Sequence, residues 1–393
     1  MAAYTNINRP QDYFVTTTWS GNDVNGRTIS NGEFQPDFLW MFHRNIAGSC
    51  PGVVYNSTIG AGTDSTAYGG NSTGKYNAVF TSLDYGLTGG DFYRYGYLSG
   101  LTSTGFTCAA GNDPSGYQNY RHNQTGYNYV AWQWKANGGT TVSNTDGSIT
   151  TTVQANPTAG FSIVFYTGNG IQTGETVGHG LGAVPKMIIS KDMGATSNVP
   201  TWRVYHEAIG ATKYLQMPQT DAESTFDDWD NTTPTSSVYS VGGSSGYTPA
   251  NTNNIKYIAY VFADVQGYSK FGKYIGNGNS LGDGPFVYTG FAPSFILIKR
   301  TDAANDWIVH TYKLGTKASS GSEKGNVGNL NNAALRANQN SAVDDWGAID
   351  MLGNGFKIRT DAASENANGG TYIYMAFAEN PFVTSTGIMG TAL

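Results

Sequence analysis

Three prolines in this chain each stand at the head of an apolar run: Pro36-Asp37-Phe38-Leu39-Trp40-Met41-Phe42, Pro185-Lys186-Met187-Ile188-Ile189-Ser190-Lys191 and Pro293-Ser294-Phe295-Ile296-Leu297-Ile298-Lys299. Proline fixes φ and lacks an amide hydrogen, so it suits the entry of a strand and not its interior. The aromatic and branched residues that follow favour a pleated, buried surface. The runs lie 149 and 108 residues apart. Three strands entered in the same way constrain the chain to a repeated β architecture with loops of unequal length.

The neighbouring segments recur in the same order. Strand-like runs open each unit at Tyr13–Trp19, Phe161–Thr167 and Phe271–Ile275, and others close it at Tyr129–Trp134, Tyr257–Phe262 and Tyr372–Phe377. Trp202-Arg203-Val204-Tyr205-His206 matches Trp307-Ile308-Val309-His310, with Val53-Val54-Tyr55 a fainter counterpart. Gly105-Phe106-Thr107-Cys108 matches Gly355-Phe356-Lys357-Ile358, and Asp227-Asp228-Trp229 matches Asp344-Asp345-Trp346. Short strands separated by polar turns predict an all-β fold: three tandem antiparallel β-sandwich units of jelly-roll or lectin-like type with long loops. The expected division is 1–138 with a long loop insertion, a Thr/Asn-rich linker at 139–158, then 159–267 and 268–393. The linker reads either as a flexible tether or as an extended strand packed along a neighbour. The second and third units meet almost without slack in Ala259–Gly278. Asn331–Asn338 and Glu207–Ala211 read as one or two helical turns each.

Only 13% of the 393 residues are charged and the formal net charge is −6. Lys and Arg are scattered singly, so no basic stripe argues for nucleic acid. No apolar run approaches the length of a membrane span, and MAAYTNINRP has neither the charged nor the apolar region of a signal peptide. The chain is therefore expected not to insert in a membrane. Two cysteines, Cys50 and Cys108, make no disulfide framework and read as partly buried thiols.

Catalytic motifs are missing by the same reading, and no enzyme is expected. The five histidines form no His-x-x-x-His pair or Cys/His cluster. His206 and His310 are expected at equivalent repeat positions, as structural residues. Asp227-Asp228 and Asp344-Asp345 offer paired oxygens for glycoside hydrolysis or for Ca2+, although no full calcium motif is present and the simpler reading is a turn in which they bond backbone N–H groups. No cofactor is expected. Tyrosines crowd a Gly-rich part of the first unit; Tyr93, Tyr95, Tyr97, Tyr117 and Tyr120 are the candidate surface-recognition aromatics, because exposed Tyr rings stack on sugars or anchor protein contacts with little entropy loss. A self-packed loop or a subunit interface is the simpler reading of them. Binding is expected within Ser49–Asn128 and Lys313–Ser341.

The runs FQPDFLW, YVAWQWKANGGTTVSNTDGSITTTVQAN, TVGHGLGAVPKMIISK, YIAYVFADVQGYSKFGKYIGNG, DGPFVYTGFAPSFILIKRTD and GTYIYMAFAENPF span nearly the whole chain. They resemble virion or tail-fibre-like structural proteins of tailed bacteriophages of marine bacteria that carry an uncharacterised repeated domain. The resemblance implies a non-catalytic virion component assembled in the host cytoplasm, in the tail fibre or receptor-binding apparatus. It implies a homo-oligomer, expected as a trimer that buries apolar faces across a threefold axis, with other virion proteins and host-surface glycan or protein as partners. A capsid or head decoration protein and a glycan-degrading tailspike are the alternatives. No catalytic residue carries over, and no helical or collagen-like shaft is present.

Overall fold

The computed structural model describes residues 5, 7–45, 52–59, 61–62, 75–76, 78–81, 94–194, 202–244, 246–279, 282–314, 330–331, 333–339, 341–343 and 349–380. Among them the chain is all-β, built from antiparallel sheets and two short 3-10 turns. No helix is long and apolar enough to cross a membrane.

The strands are, up to residue 134, β1 (Phe14–Ser20), β2 (Arg27–Ser30), β3 (Phe38–His43), β4 (Val53–Asn56), β5 (Ala61–Gly62), β6 (Lys75–Tyr76), β7 (Val79–Phe80), β8 (Tyr97–Thr102), β9 (Gly105–Ala109) and β10 (Asn128–Trp134). They continue with β11 (Val142–Asn144), β12 (Thr151–Asn156), β13 (Phe161–Thr167), β14 (Glu175–Gly178), β15 (Met187–Asp192), β16 (Trp202–His206), β17 (Lys213–Gln216), β18 (Ser224–Thr225), β19 (Val238–Val241) and β20 (Lys256–Phe262). The last are β21 (Ser269–Ile275), β22 (Phe286–Tyr288), β23 (Phe295–Arg300), β24 (Trp307–Thr311), β25 (Leu330–Asn331), β26 (Ala334–Arg336), β27 (Ile349–Leu352), β28 (Gly355–Ile358) and β29 (Thr371–Phe377).

One strand order recurs. The first large sheet runs β1-β10-β3-β4-β7, the third β21-β29-β23-β24-β26, and the second contains β13-β20-β15-β16-β17 between β12 and β18. Each is accompanied by a smaller sheet: β2-β9-β8, β14-β19 and β22-β28-β27-β25. The proline-headed strands enter alike. The residue after each proline donates its amide to the carbonyl of the last residue of the closing strand: Asp37 to Trp134 at 2.9 Å, Lys186 to Phe262 at 2.7 Å and Ser294 to Phe377 at 2.8 Å. Likewise Gly105 stands opposite Ser30 and Gly355 opposite Tyr288. At both glycines a Cβ would run into the facing backbone, the Ile29 and Val287 carbonyls respectively, so the sheet there needs glycine.

Side chains alternate across each large sheet, and both faces are buried. One face packs against its own small sheet. Leu39, Met41 and Ala131 meet Ile29 and Phe106 in the first pair; Ile188, Ala259 and Val261 meet Val177 and Tyr239 in the second; Ile296, Ile298 and Ala376 meet Val287 and Phe356 in the third. The other faces of all three large sheets share one core that holds Phe38, Trp40 and Trp132, Ile189, Trp202 and Tyr260, and Leu297, Trp307 and Met375. At its centre lie Trp134, Phe262 and Phe377, which occupy corresponding places opposite Phe38, Met187 and Phe295. Their ring centroids are 5.5 Å (Trp134–Phe377), 6.0 Å (Phe262–Phe377) and 6.4 Å (Trp134–Phe262) apart. The three sheets thus converge on one aromatic triangle within a single chain.

Several expectations are corrected here. Of the two readings of the Thr/Asn-rich segment at 139–158, the extended strand packed along a neighbour holds and the tether does not: β12 pairs with β13 along Thr152–Asn156, and β11 pairs with β12. Asn331–Asn338 contains strand β26, paired with β24, and Glu207–Gly210 is a simple turn. His206 and His310 are not equivalent. Lys191 pairs with Trp202 and Lys299 with Trp307, so the two strands align on their tryptophans and His310 corresponds to Tyr205. The one-residue offset puts the two histidines on opposite faces. His206 Nε2 lies 3.3 Å from the Tyr374 carbonyl, and His310 Nε2 lies 2.5 Å from Glu365.

Candidate recognition surface

The residues with most claim to recognition gather at one end of the first sheet pair, on the segment 94–129. Asp113 organises it. Its carboxylate accepts Arg94 Nε at 2.5 Å and the Tyr117 amide at 3.1 Å. Burial raises this carboxyl, but the Tyr117 amide and Arg94 together hold it below the ordinary carboxylate value. Arg94 and Arg121 both lie over the Tyr95 ring, at 5.6 and 5.9 Å from its centroid, and the Arg121 amide bonds the Tyr95 carbonyl at 3.0 Å. Tyr95, Tyr117 and Tyr120 are thereby brought to one place.

From solvent inwards the rings form a continuous chain. Tyr117, 46% exposed, meets Tyr120 edge-on at 5.8 Å. Tyr120 meets Tyr127 at 5.3 Å and His43 at 5.1 Å. His43 stands edge-on to Tyr129 at 4.7 Å, and Tyr129 stacks on Trp19 at 5.3 Å. Hydrogen bonds pin the inner members: Trp19 Nε1 donates to the His122 carbonyl at 2.8 Å, Tyr129 Oη to the Tyr120 carbonyl at 3.0 Å, and the Gln124 amide to Tyr129 Oη at 2.9 Å. His122 Nε2 and Tyr55 Oη lie 2.7 Å apart. Burial drives the pKa of both His43 and His122 down to about 3, so both are neutral at physiological pH.

Of the five candidate tyrosines, Tyr95, Tyr117 and Tyr120 are grouped, and Tyr97 is not with them. It is half-buried on β8 and packs against the first pair's inner core. Tyr93 lies outside the described residues, as do Cys50, Asp344, Asp345 and most of Ser49–Tyr93 and of Lys313–Ser341. Tyr127, another tyrosine of the same crowded stretch, joins the group, as do Arg94 and Arg121, which were not singled out. Their signal was spacing to the tyrosines in a loop whose path only the fold defines. Cys108 is a free, buried thiol pushed up to about 12 by burial, and it takes no part in a disulfide.

The paired aspartates separate. Asp227 accepts a bond from Asn231 Nδ2 at 2.9 Å near the surface. Asp228 turns inward, fully buried, and faces Arg203 at 3.4 Å. Arg203 also lies over the Tyr214 ring, 4.0 Å from its centroid. Burial lifts the Asp228 carboxyl to about 6 against the pull of Arg203. The pair does stand at a turn, as the sequence suggested, but Asp228 forms an internal ion pair instead of bonding nearby backbone N–H groups. Among the described residues no group of three His, Cys, Asp or Glu side chains converges as a metal site. Two further ionisable contacts join elements of the core. Lys299 donates to the Thr220 and Asn305 carbonyls at 2.9 and 2.7 Å, its pKa lowered to about 8 by burial. Glu365, besides facing His310, accepts Tyr274 Oη on its carbonyl at 2.7 Å.

No curated protein and no solved structure matches the chain. One family model, described as a domain of unknown function, matches residues 9–381, a span that takes in all three sheet pairs and the tyrosine group. The chain therefore belongs to the family described as domain of unknown function DUF7483.

Proposed function

We propose that this chain is three copies of one β-sandwich module and that it serves as a non-catalytic structural component of a bacteriophage particle, in the tail-fibre or receptor-binding apparatus. The sequence runs quoted above supply the link to phage particles. The observation that carries the recognition role is the tyrosine group around Asp113. Tyr117 is presented to solvent on a chain of rings rooted in the first sheet pair, with two guanidinium groups beside the Tyr95 ring. Aromatic faces with charged donors beside them suit the apolar faces and hydroxyls of a host-surface glycan, or a protein epitope. A loop whose rings are pinned to neighbouring strands by packing and hydrogen bonds loses little entropy on binding.

Attachment through several copies remains part of this reading, because weak contacts multiply when they are linked. The apolar faces first invoked for a trimer are buried inside the single chain, so self-association has to use another surface. The glycan-degrading alternative loses the support of Asp227 and Asp228, one near the surface on Asn231 and the other buried against Arg203. The test is competition. Purified protein should block adsorption of the phage to its host, and the variant Tyr117→Ala/Tyr120→Ala should not. Undiminished blocking by that variant would overturn the assignment of the surface, and no blocking by the wild type would overturn the attachment role.

A further inference from the structure

The three sheet pairs differ in how the free edge of the small sheet is finished. In the second pair, β14 bonds β19 through alternate residues, with the phase set by the His179 amide on the Ser237 carbonyl at 3.1 Å. Thr176 and Gly178 accordingly turn their backbone groups away from β19. The segment leading into β12 meets them. Ser148 Oγ accepts the Thr176 amide at 2.8 Å, the Ile149 amide donates to the Thr176 carbonyl at 3.0 Å, and Thr151 Oγ1 donates to the Gly178 carbonyl at 3.1 Å. Ile149 and Val177 form a parallel bridge.

In the third pair the corresponding strand is β22. The Ile358 amide on the Pro285 carbonyl and the Thr289 amide on the Asn354 carbonyl, each at 3.0 Å, set the same phase. Val287 faces the inner core as Val177 does, so Phe286 and Tyr288 stand where Thr176 and Gly178 stand. Among the described residues no hydrogen bond reaches their outward backbone groups. Their side chains are 47% and 61% exposed, and Ile275, at the end of β21, is 55% exposed. In the first pair the same two places hold Thr28 and Ser30, which are polar. An edge left open among the described residues and carrying two exposed aromatics, with neither Lys nor Pro at these positions, is what proteins ordinarily avoid unless a strand is to be added there.

We propose that β22 is a docking edge for an extended strand of a partner polypeptide, added in parallel as Ser148–Thr151 is added to β14. The partner strand is uncharged at its centre, with Ser or Thr hydroxyls at alternate places and a branched residue between them, and its outward side chains pack beside Phe286 and Tyr288. The inference stands on the fold and does not depend on the attachment reading.

The probe is a labelled peptide of residues 145–153, Thr-Asp-Gly-Ser-Ile-Thr-Thr-Thr-Val, added to the full chain. Saturable binding with slowed amide exchange confined to 285–289 is expected. Tyr288→Pro removes an outward N–H without touching the ladder to β28, and it should weaken binding about tenfold; N-methylation of the peptide at its Ile should do the same. Phe286→Thr/Tyr288→Ser, which installs the residues of the first pair, keeps the backbone edge and should retain measurable protection. Absence of binding at about millimolar peptide would overturn the proposal. So would binding that survives Tyr288→Pro but vanishes in the Thr/Ser variant, since that result assigns the site to the aromatic side chains alone.

Discussion

Phe377→Ala probes the shared core where it is densest. Phe377 is fully buried and lies 5.3 Å from Phe14, 5.5 Å from Trp134 and 6.0 Å from Phe262, ring centroid to ring centroid, so it touches all three large sheets. Truncation removes the ring's transfer free energy and leaves a cavity among rings that are themselves fixed by strands, which costs about 4 kcal/mol. With an unfolding entropy of about 2.1 cal/mol/K per residue, a chain of this length should melt about 5 °C lower. The more discriminating readout is where the loss falls. If the three sheets are held by one core, amide exchange through global opening rises to a similar extent in peptides from β1, β20 and β29, and calorimetry gives one transition. Phe356→Ala, in the core private to the third sheet pair, serves as the comparison. Faster exchange confined to 269–377 in Phe377→Ala, with the first two pairs unchanged, would refute the argument from the aromatic triangle.

Acid should destabilise the fold through its buried histidines. His43 and His122 are held down to about 3 and His206 to about 4, so the unfolded chain takes protons more readily than the folded one; stability is full above the unfolded value near 6.5 and is lost as pH falls through that value towards 3. A urea midpoint that rises on going from pH 7 to pH 5 would contradict this. Asp228, raised to about 6, works in the opposite sense, its folded form favouring the proton, with stability lost as pH rises through about 6. Arg203→Met should therefore cost about 3 kcal/mol at pH 8, where Asp228 is left as a bare buried charge, and less at pH 5; equal losses at the two values would show that the pair is not electrostatically coupled. Tyr117→Ala should weaken binding to host cells by about thirty-fold, or about 2 kcal/mol, while leaving the melting temperature unchanged, as expected for an exposed anchor and not for a packing residue; a matching fall in melting temperature would mark Tyr117 as structural.

The strands themselves were legible because each rests on local chemistry. Proline at a strand entry, glycine where a neighbouring backbone leaves no room for Cβ, and dense aromatic and branched runs are written residue by residue, and Pro36, Pro185 and Pro293 enter their strands with matching hydrogen bonds. What joins the sheets was not legible, although a trace of it is visible in hindsight. A sandwich strand with one solvated face alternates, yet Phe38–Phe42 and Ile258–Phe262 are apolar at nearly every position, which requires a second buried face. That second face belongs to the core shared with the other two sheets of the same chain. His206 and His310 misled because two motifs matched by composition differ by one residue in register, and in a strand one residue changes the face. Tyr97 was grouped with Tyr95 by proximity in sequence, but it opens β8 and packs against the inner core, while Tyr117 and Tyr120, some twenty residues away, come to Tyr95 through Asp113 and its arginine. Asp228 was unreadable for a related reason: it stands at a turn while its partner Arg203 lies on β16, and no local pattern records an ion pair formed between the two.

Whether this chain works at the tail of a phage particle is decided most directly by labelling intact virions with an antibody raised against it and locating the gold by electron microscopy. The account predicts label at the distal tail and none on the head. Label confined to the capsid would transfer the protein to the head decoration role, and particles that carry no label would contradict the virion assignment itself.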